Sequence, residues 1–275
     1  MRTLMKRSFA ALFILSLAAN SYAHRAWILP GATVLSGDDP WVTLDAAISN
    51  DIFHTDYHAM RLDDVNVTSP KGVSVALQNA HTGKYRSSFD LNLTEPGTYR
   101  IYTASNGLLA QWLSDDGQRR RWPGRGEAYT DEGFQNNVPS EASDLRVTQV
   151  SRRIETFVTA GAPTEQVLAP SGSGLELVPV THPNDLFADE TAEFQFVIDG
   201  EPAAGTQVVA IAAGMRYRNS QDAIETTADE QGKVSITWPH AGMYWLSATY
   251  TDERAAEPAT QRSGAYTGVF EVLPL

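Results

Sequence analysis

Glu95-Pro96-Gly97-Thr98-Tyr99 reads as a tight turn delivered into a β-strand. Proline fixes φ, glycine relieves the bend, and tyrosine starts the buried face. The same order of residue types returns in Pro239-His240-Ala241-Gly242-Met243-Tyr244-Trp245-Leu246. Around each copy, apolar and polar residues alternate over short runs bounded by turn formers. Residues 41–48, 63–67, 73–77 and 85–93 flank the first copy; residues 175–180, 192–198, 206–212 and 267–273 flank the second. Short strands at this spacing, without sustained helical periodicity beyond the first residues, predict an all-β chain. The expected architecture is two tandem immunoglobulin-like β-sandwich units, at 24–105 and 175–275.

Residues 106–174 between them change in composition and read as a long loop excursion and linker. Trp112, Trp122, Tyr129 and Phe134 gather in its 106–143 portion. Aromatics on such a loop either form a ligand or partner surface or fold back as a lid. Arg119, Arg120 and Arg121 are the one basic cluster, expected to balance nearby acids. Residues 145–158 return to alternation, as a strand or a short helix. Ser171-Gly172-Ser173-Gly174 is linker by composition.

The chain opens with Arg2, Lys6 and Arg7, an apolar run from 9 to 19, and small residues at Ser21 and Ala23. This is the anatomy of a secretory signal peptide, residues 1–23, cleaved behind Ala23. The product is expected to be periplasmic, without membrane insertion after cleavage. It would start at His24, whose α-amine and imidazole can chelate a metal through two nitrogens. Of 21 basic residues three lie in the leader, leaving 21 − 3 = 18 against 33 acidic, a formal −15. That balance argues against nucleic acid as a partner and draws cations. Cysteine is absent, which excludes disulfides, thiolate sites and cysteine nucleophiles.

The histidines are His24, His54, His58, His81, His182 and His240. In Asp51-Ile52-Phe53-His54-Thr55-Asp56-Tyr57-His58 two imidazoles stand four apart with a carboxylate between them. A helical turn would put the imidazoles on one face; a strand would align 54, 56 and 58. Either way His54 and His58, with Asp56 as an oxygen donor, can join His24 around a late first-row ion. His240, in a Pro-His-Ala-Gly turn, is a further candidate. His81 and His182 read as exposed loop residues. No catalytic set emerges: there is no Gly-x-Ser-x-Gly elbow, the adjacent acid pairs point to opposite strand faces, and no phosphate-binding glycine loop occurs. The chain reads as a binding protein, with copper-dependent redox activity as the enzymatic alternative. A module for a glycan or cell-envelope partner is the non-metal alternative.

The start His24-x-x-Trp27-Ile28-Leu29-Pro30, the stretch Ser49-Asn50-Asp51-x-Phe53-His54, Glu155-Thr156-Phe157-Val158, Leu175-Glu176-Leu177-Val178-Pro179 and Gly242-Met243-Tyr244-Trp245-Leu246 together resemble a bacterial periplasmic family. It is catalogued as domain of unknown function 4198, and its members are often labelled the periplasmic component of a cobalt or nickel ABC transport system. The resemblance implies a β-sandwich that handles a divalent ion (nickel, cobalt or copper) for an ABC-type or outer-membrane importer. His24 and the His54 segment match the family's pattern. A nickel motif with His at the third mature position does not, because that position is Ala26. A terminal histidine with a second imidazole is also similar to the histidine brace of copper proteins.

Overall fold

The computed structural model describes residues 24–275; the expected signal peptide lies outside them. Gly97 and Gly242 explain why the two turn-to-strand segments fold alike. Both take positive φ, 124° and 139°, a conformation that a Cβ disfavours. Each sends the chain into a strand so that the tyrosine two residues on turns inward. The Tyr99 hydroxyl accepts from the Glu95 N–H at 2.8 Å and donates to the Glu95 carbonyl at 3.1 Å. The Tyr244 hydroxyl donates to the His240 carbonyl at 2.9 Å. Both tyrosines are buried. A buried tyrosine tied to backbone upstream is the corner motif of immunoglobulin-like sandwiches. The chain is all-β with two such units in tandem.

The strands form three sheets. The first holds β1 (Arg25–Pro30), β3 (Trp41–Ser49), β4 (His58–Ala59), β6 (Gln78–Thr82) and β7 (Ser87–Asn92). The second holds β2 (Val34–Leu35), β5 (Asn66–Thr68), β8 (Gly97–Leu113), β9 (Arg119–Trp122), β10 (Ser143–Ala160), β14 (Gln207–Ala212), β15 (Ile224–Thr227), β17 (Gly242–Asp252) and β18 (Gln261–Val272). The third holds β11 (Leu175–Pro179), β12 (Thr191–Ile198), β13 (Glu201–Pro202) and β16 (Lys233–Thr237).

The second sheet belongs to both units, because β10 pairs with β8 on one side and with β18, in parallel, on the other. Its side chains alternate between two cores. Phe157 packs with Leu177, Phe194 and Phe196 under the third sheet. Val158 and Ala160 pack with Ile28, Leu44 and Phe89 under the first. Burial of each such large apolar side chain contributes about 1.5–3 kcal/mol. A third, smaller core joins the units and contains Trp27, Ala47, Ile52, Ile211, Trp245 and Val269.

Residues 106–174 differ from the expected excursion. Strands β8 and β10 pair from Gly97↔Ala160 out to Leu113↔Ser143, so the unit boundary placed at 105/106 falls inside a strand. Residues 145–158 are strand throughout, as β-branched Val147, Thr148, Val150, Ile154 and Thr156 favour. Only residues 114–142 leave this arm, and they carry β9 and the helix α1 (Asp131–Asn137), capped by Thr130. The aromatics expected as a surface or a lid close on one another. Trp122 lies 5.7 Å from Tyr129 and 6.0 Å from Phe134, ring to ring. With Trp112 against Ala110 and Val147, they make a small core at the arm's end.

His182 is half-buried where the units meet, not on an exposed loop. Its Nδ1 accepts from the Asn184 N–H at 3.1 Å, and its Nε2 faces Thr98 Oγ1 at 3.1 Å and the Thr164 carbonyl at 3.3 Å. Burial holds its pKa below the usual histidine range.

Candidate metal site

Strand β3 has β1 on one side (Ala26↔Ile48) and β4 on the other (Ile48↔His58). Residues 26, 48 and 58 therefore stand abreast on strands about 4.8 Å apart. His24, just before β1, reaches the same end of the sheet. The β3–β4 connection is fixed from below. Trp27 Nε1 donates to Ser49 Oγ at 2.8 Å, and that hydroxyl donates to the Asp51 carbonyl at 2.6 Å. Asp56 accepts from the Asn50 N–H at 2.9 Å and from its side-chain amide at 3.3 Å. Phe53 has φ of 57°, a left-handed conformation costing a non-glycine residue about 1–2 kcal/mol. Its ring stands edge-on to buried Trp27, 5.7 Å between centroids, which holds the bend that aims His54.

His24 stacks on Tyr57, with centroids 3.7 Å apart and planes at 14°. The Tyr57 ring is tilted against His58 at 6.5 Å. All three are exposed. His58 Nδ1 lies 2.5 Å from the Ala59 carbonyl oxygen, an atom that can only accept. In the neutral ring the proton then sits on Nδ1, which leaves the Nε2 lone pair for an electrophile. A backbone carbonyl on one ring nitrogen orients metal-ligating imidazoles and raises their basicity.

His54 is arranged differently. Arg216 Nη1 donates to its Nε2 at 2.6 Å, so the lone pair is occupied and a cation stands beside it. Arg216 belongs to the 3₁₀ turn Met215–Tyr217 of the second unit. That turn also places Met215 Sδ 3.2 Å from Arg25 Nη1, while Gln221 Oε1 accepts from Arg25 Nη2 at 2.9 Å. Arg25 lies over the Trp245 ring at 5.4 Å. The second unit thus buttresses the histidine corner of the first.

The sequence pattern of the family described as Domain of unknown function (DUF4198) matches residues 21–252. The chain belongs to this family. No curated protein matches it. Among solved structures it is similar to the D0-D1 domain of intimin at 11% identity, covering 90% of this chain and 97% of that one, with a TM-score of 0.22. A marsupial T cell receptor is similar at 11% identity, covering 91% of this chain and 73% of that one, with a TM-score of 0.20. A Salmonella alpha-2-macroglobulin variant is similar at 13% identity, covering 90% of this chain and 15% of that one, with a TM-score of 0.21. Likenesses this low carry no argument, and the fold stands on its own geometry.

In this DUF4198 protein two of the stretches that carried the resemblance meet in space: Trp27, Ser49, Asp51 and Phe53 form the bonded base of the histidine corner. Of the candidate ligands, the structure brings His24 and His58 both against Tyr57, at 3.7 and 6.5 Å. It directs His54 to Arg216 and commits both oxygens of Asp56 to Asn50. His240 is exposed in the turn before β17, where its carbonyl serves Tyr244. Among the described residues, no three His, Cys, Asp or Glu side chains are grouped to hold an ion. The corner offers two imidazoles. Tyr57 and Arg216 escaped the sequence. Tyr57 looked like filler between histidines, and Arg216 is remote in the chain with no local signal.

Proposed function

We propose that this protein is exported to the periplasm and carries a late first-row divalent ion as cargo, held by His24 and His58. The single observation behind this reading is the contact of His58 Nδ1 with the Ala59 carbonyl, which in the neutral ring leaves an exposed Nε2 lone pair at the end of the sheet where His24 begins. The donor set fits such an ion: two imidazoles and the α-amine of His24 are borderline nitrogen ligands, suited to Cu(II), Ni(II) or Co(II) above Mg or Ca. His24 is free of core packing, so rotation about its χ angles swings the imidazole off Tyr57 towards His58. Ala59 fixes the His58 proton and ring orientation, and Trp27 and Asn50 hold the loop. Exposure makes binding reversible, as delivery to an ABC-type or outer-membrane importer requires. The cobalt and nickel transport label often given to this family accords with that role. Three nitrogens in this arrangement favour copper most strongly by the general affinity order.

Intact-mass spectrometry of the secreted protein, then titration with Cu(II), Ni(II), Co(II) and Zn(II), tests the reading. A chain starting at His24 that binds one equivalent, lost in both His24→Ala and His58→Ala, is the expected result. Retention of the leader, or binding no tighter than to an unrelated His-bearing protein, would overturn it.

A further inference from the structure

On β8, Arg100, Tyr102, Ala104 and Asn106 alternate onto one face of the shared sheet. Across the ladders Arg153 of β10 stands opposite Ala104, and Thr68 of β5 opposite Arg100. Phe157, opposite Arg100, lies under the third sheet. Outwards of Tyr102 on β8, Ala104 and Asn106 are exposed. The segment 166–171 walls a groove of about 390 Å³ there, with Gln166 and Ser171 among its lining groups.

The floor of this groove is unusual for a sheet face. Arg100 and Arg153 are only 7% and 6% exposed, and both flank the Tyr102 ring, at 5.4 and 5.5 Å. Their counter-ions are Glu155 and Glu176, both fully buried. Arg100 Nε donates to Glu155 Oε2 at 2.7 Å, and Arg153 Nη2 pairs with Glu176 Oε1 at 2.9 Å. Glu176 is further cradled by the N–H groups of Ser171 and Gly172, at 2.9 and 2.8 Å. Burial alone would raise its pKa, but these donors and Arg153 outweigh burial and hold it below the usual carboxylate range. The Ser-Gly stretch expected as linker is thus a nest for a carboxylate.

Arg100 and Arg153 line the groove, whereas Glu155 and Glu176 do not. The groove therefore meets the donor side of a buried ion network. Arg153 spends Nη2 on Glu176 and on Ser171 Oγ at 3.1 Å, while its Nη1 stands 3.7 Å from Glu155. Buried ion pairs are weak evidence for stability, since apolar replacements often serve as well. Here they present guanidinium donors beside an aromatic ring, a hydroxyl (Thr68) and two amides (Asn106 and Gln166). The volume lies in the range of small-molecule sites.

We infer that this groove binds a small hydroxycarboxylate of monosaccharide size, a sugar acid. Arg100 is spent, its Nη2 on Glu155 at 2.6 Å and its Nη1 on the Ala169 carbonyl at 3.3 Å. The carboxylate would therefore meet Arg153 Nη1, while the ring would lie at the edge of Tyr102 and the hydroxyls would meet Thr68, Asn106 and Gln166. In a chain of strong negative charge, general attraction for anions is absent, so carboxylate affinity must arise locally. The site is independent of the histidine corner.

Calorimetric titration of the full mature protein with galacturonate, and with galactose as the neutral control, tests this. Galacturonate should bind at least tenfold more tightly than galactose. Ala104→Phe, which fills the groove from an exposed position opposite Arg153, should abolish binding, whereas His24→Ala should leave it unchanged. Circular dichroism and melting confirm that both variants fold. Absence of galacturonate binding, equal binding of galactose, or full binding by folded Ala104→Phe would each overturn the inference.

Discussion

The two units are built on the same corner tyrosine yet use it for different ends. The second unit closes around large aromatics, with Trp238, Phe194, Phe196, Tyr244, Tyr266 and Phe270 all buried. Its loop Met215–Tyr217 reaches out only to brace its neighbour. The first unit has a more aliphatic core of Ile28, Val42, Leu44, Leu91 and Ile101 around Phe89 and Tyr99. It leaves His24, Tyr57 and His58 exposed at the end of its sheet. One unit is scaffold and the other carries the candidate site. The shared β10 strand and the Trp27–Trp245 core make the difference workable, because the exposed corner rests on packing it does not itself supply.

Breaking the common sheet should have the largest effect. Arg100→Ala takes the hydrogen-bonded partner from the fully buried Glu155 carboxylate, whose Oε1 already lacks one, and leaves only Arg153 Nη1 at 3.7 Å. Removing one partner of a buried pair costs about 3–5 kcal/mol. Chemical denaturation should show that loss, while an apolar replacement of both Arg100 and Glu155 should recover most of it. A loss below about 1 kcal/mol for the single variant would mean that water already screens the pair.

The two corners give the next effect and compare the units directly. Tyr99→Phe removes a hydroxyl that both accepts from and donates to Glu95, whereas Tyr244→Phe removes one donated bond. At about 1 kcal/mol per bond, the expected losses are about 2 and about 1 kcal/mol. Denaturant midpoints at constant slope measure both, and the reverse order would show that the corners are not equivalent devices.

The corners were also where the sequence spoke most clearly. A Pro-Gly-Tyr order has few physical uses, so Gly97 and Gly242 announced their backbone and the two sandwiches followed. The outer half of β8 was illegible because it leaves the main cores. Residues 105–109 face solvent or a minor core, and the alternation that marks a strand fades there. The Ser171-Gly172-Ser173-Gly174 stretch misled for another reason. The small residues and positive φ of a flexible linker are also what backbone needs to wrap the Glu176 carboxylate. At the histidine corner, sequence spacing identified imidazoles but not their lone pairs. Those depend on the Ala59 carbonyl beside His58 and on Arg216, brought in from the other unit.

A smaller effect should appear at the junction. The pKa of His182 is depressed in the folded state by burial, so folding favours its neutral form. Its contribution is complete above the unfolded value near 6.5 and is lost as pH falls from there through the folded value. Stability of His182→Gln, followed from pH 7.5 down to about 5, should therefore fall less steeply than that of the parent chain. Parallel curves would place the proton elsewhere.

The smallest effect tests the contrast between the two histidines of the loop. His58 has a carbonyl on Nδ1 and an open Nε2, while His54 has its Nε2 taken by Arg216 at 2.6 Å. Removing His58 should weaken Cu(II) or Ni(II) binding by at least tenfold, about 1.4 kcal/mol. Removing His54 should change it by less than about threefold, under ~0.7 kcal/mol, because its lone pair was never offered. A competition titration with a chelator of known strength resolves that difference. A large loss in His54→Ala would mean that Arg216 yields to the ion and that the second unit regulates the site as well as supporting it. Arg216→Ala would then raise affinity by freeing the third imidazole, whereas an occupied bystander histidine gains nothing from losing its guanidinium.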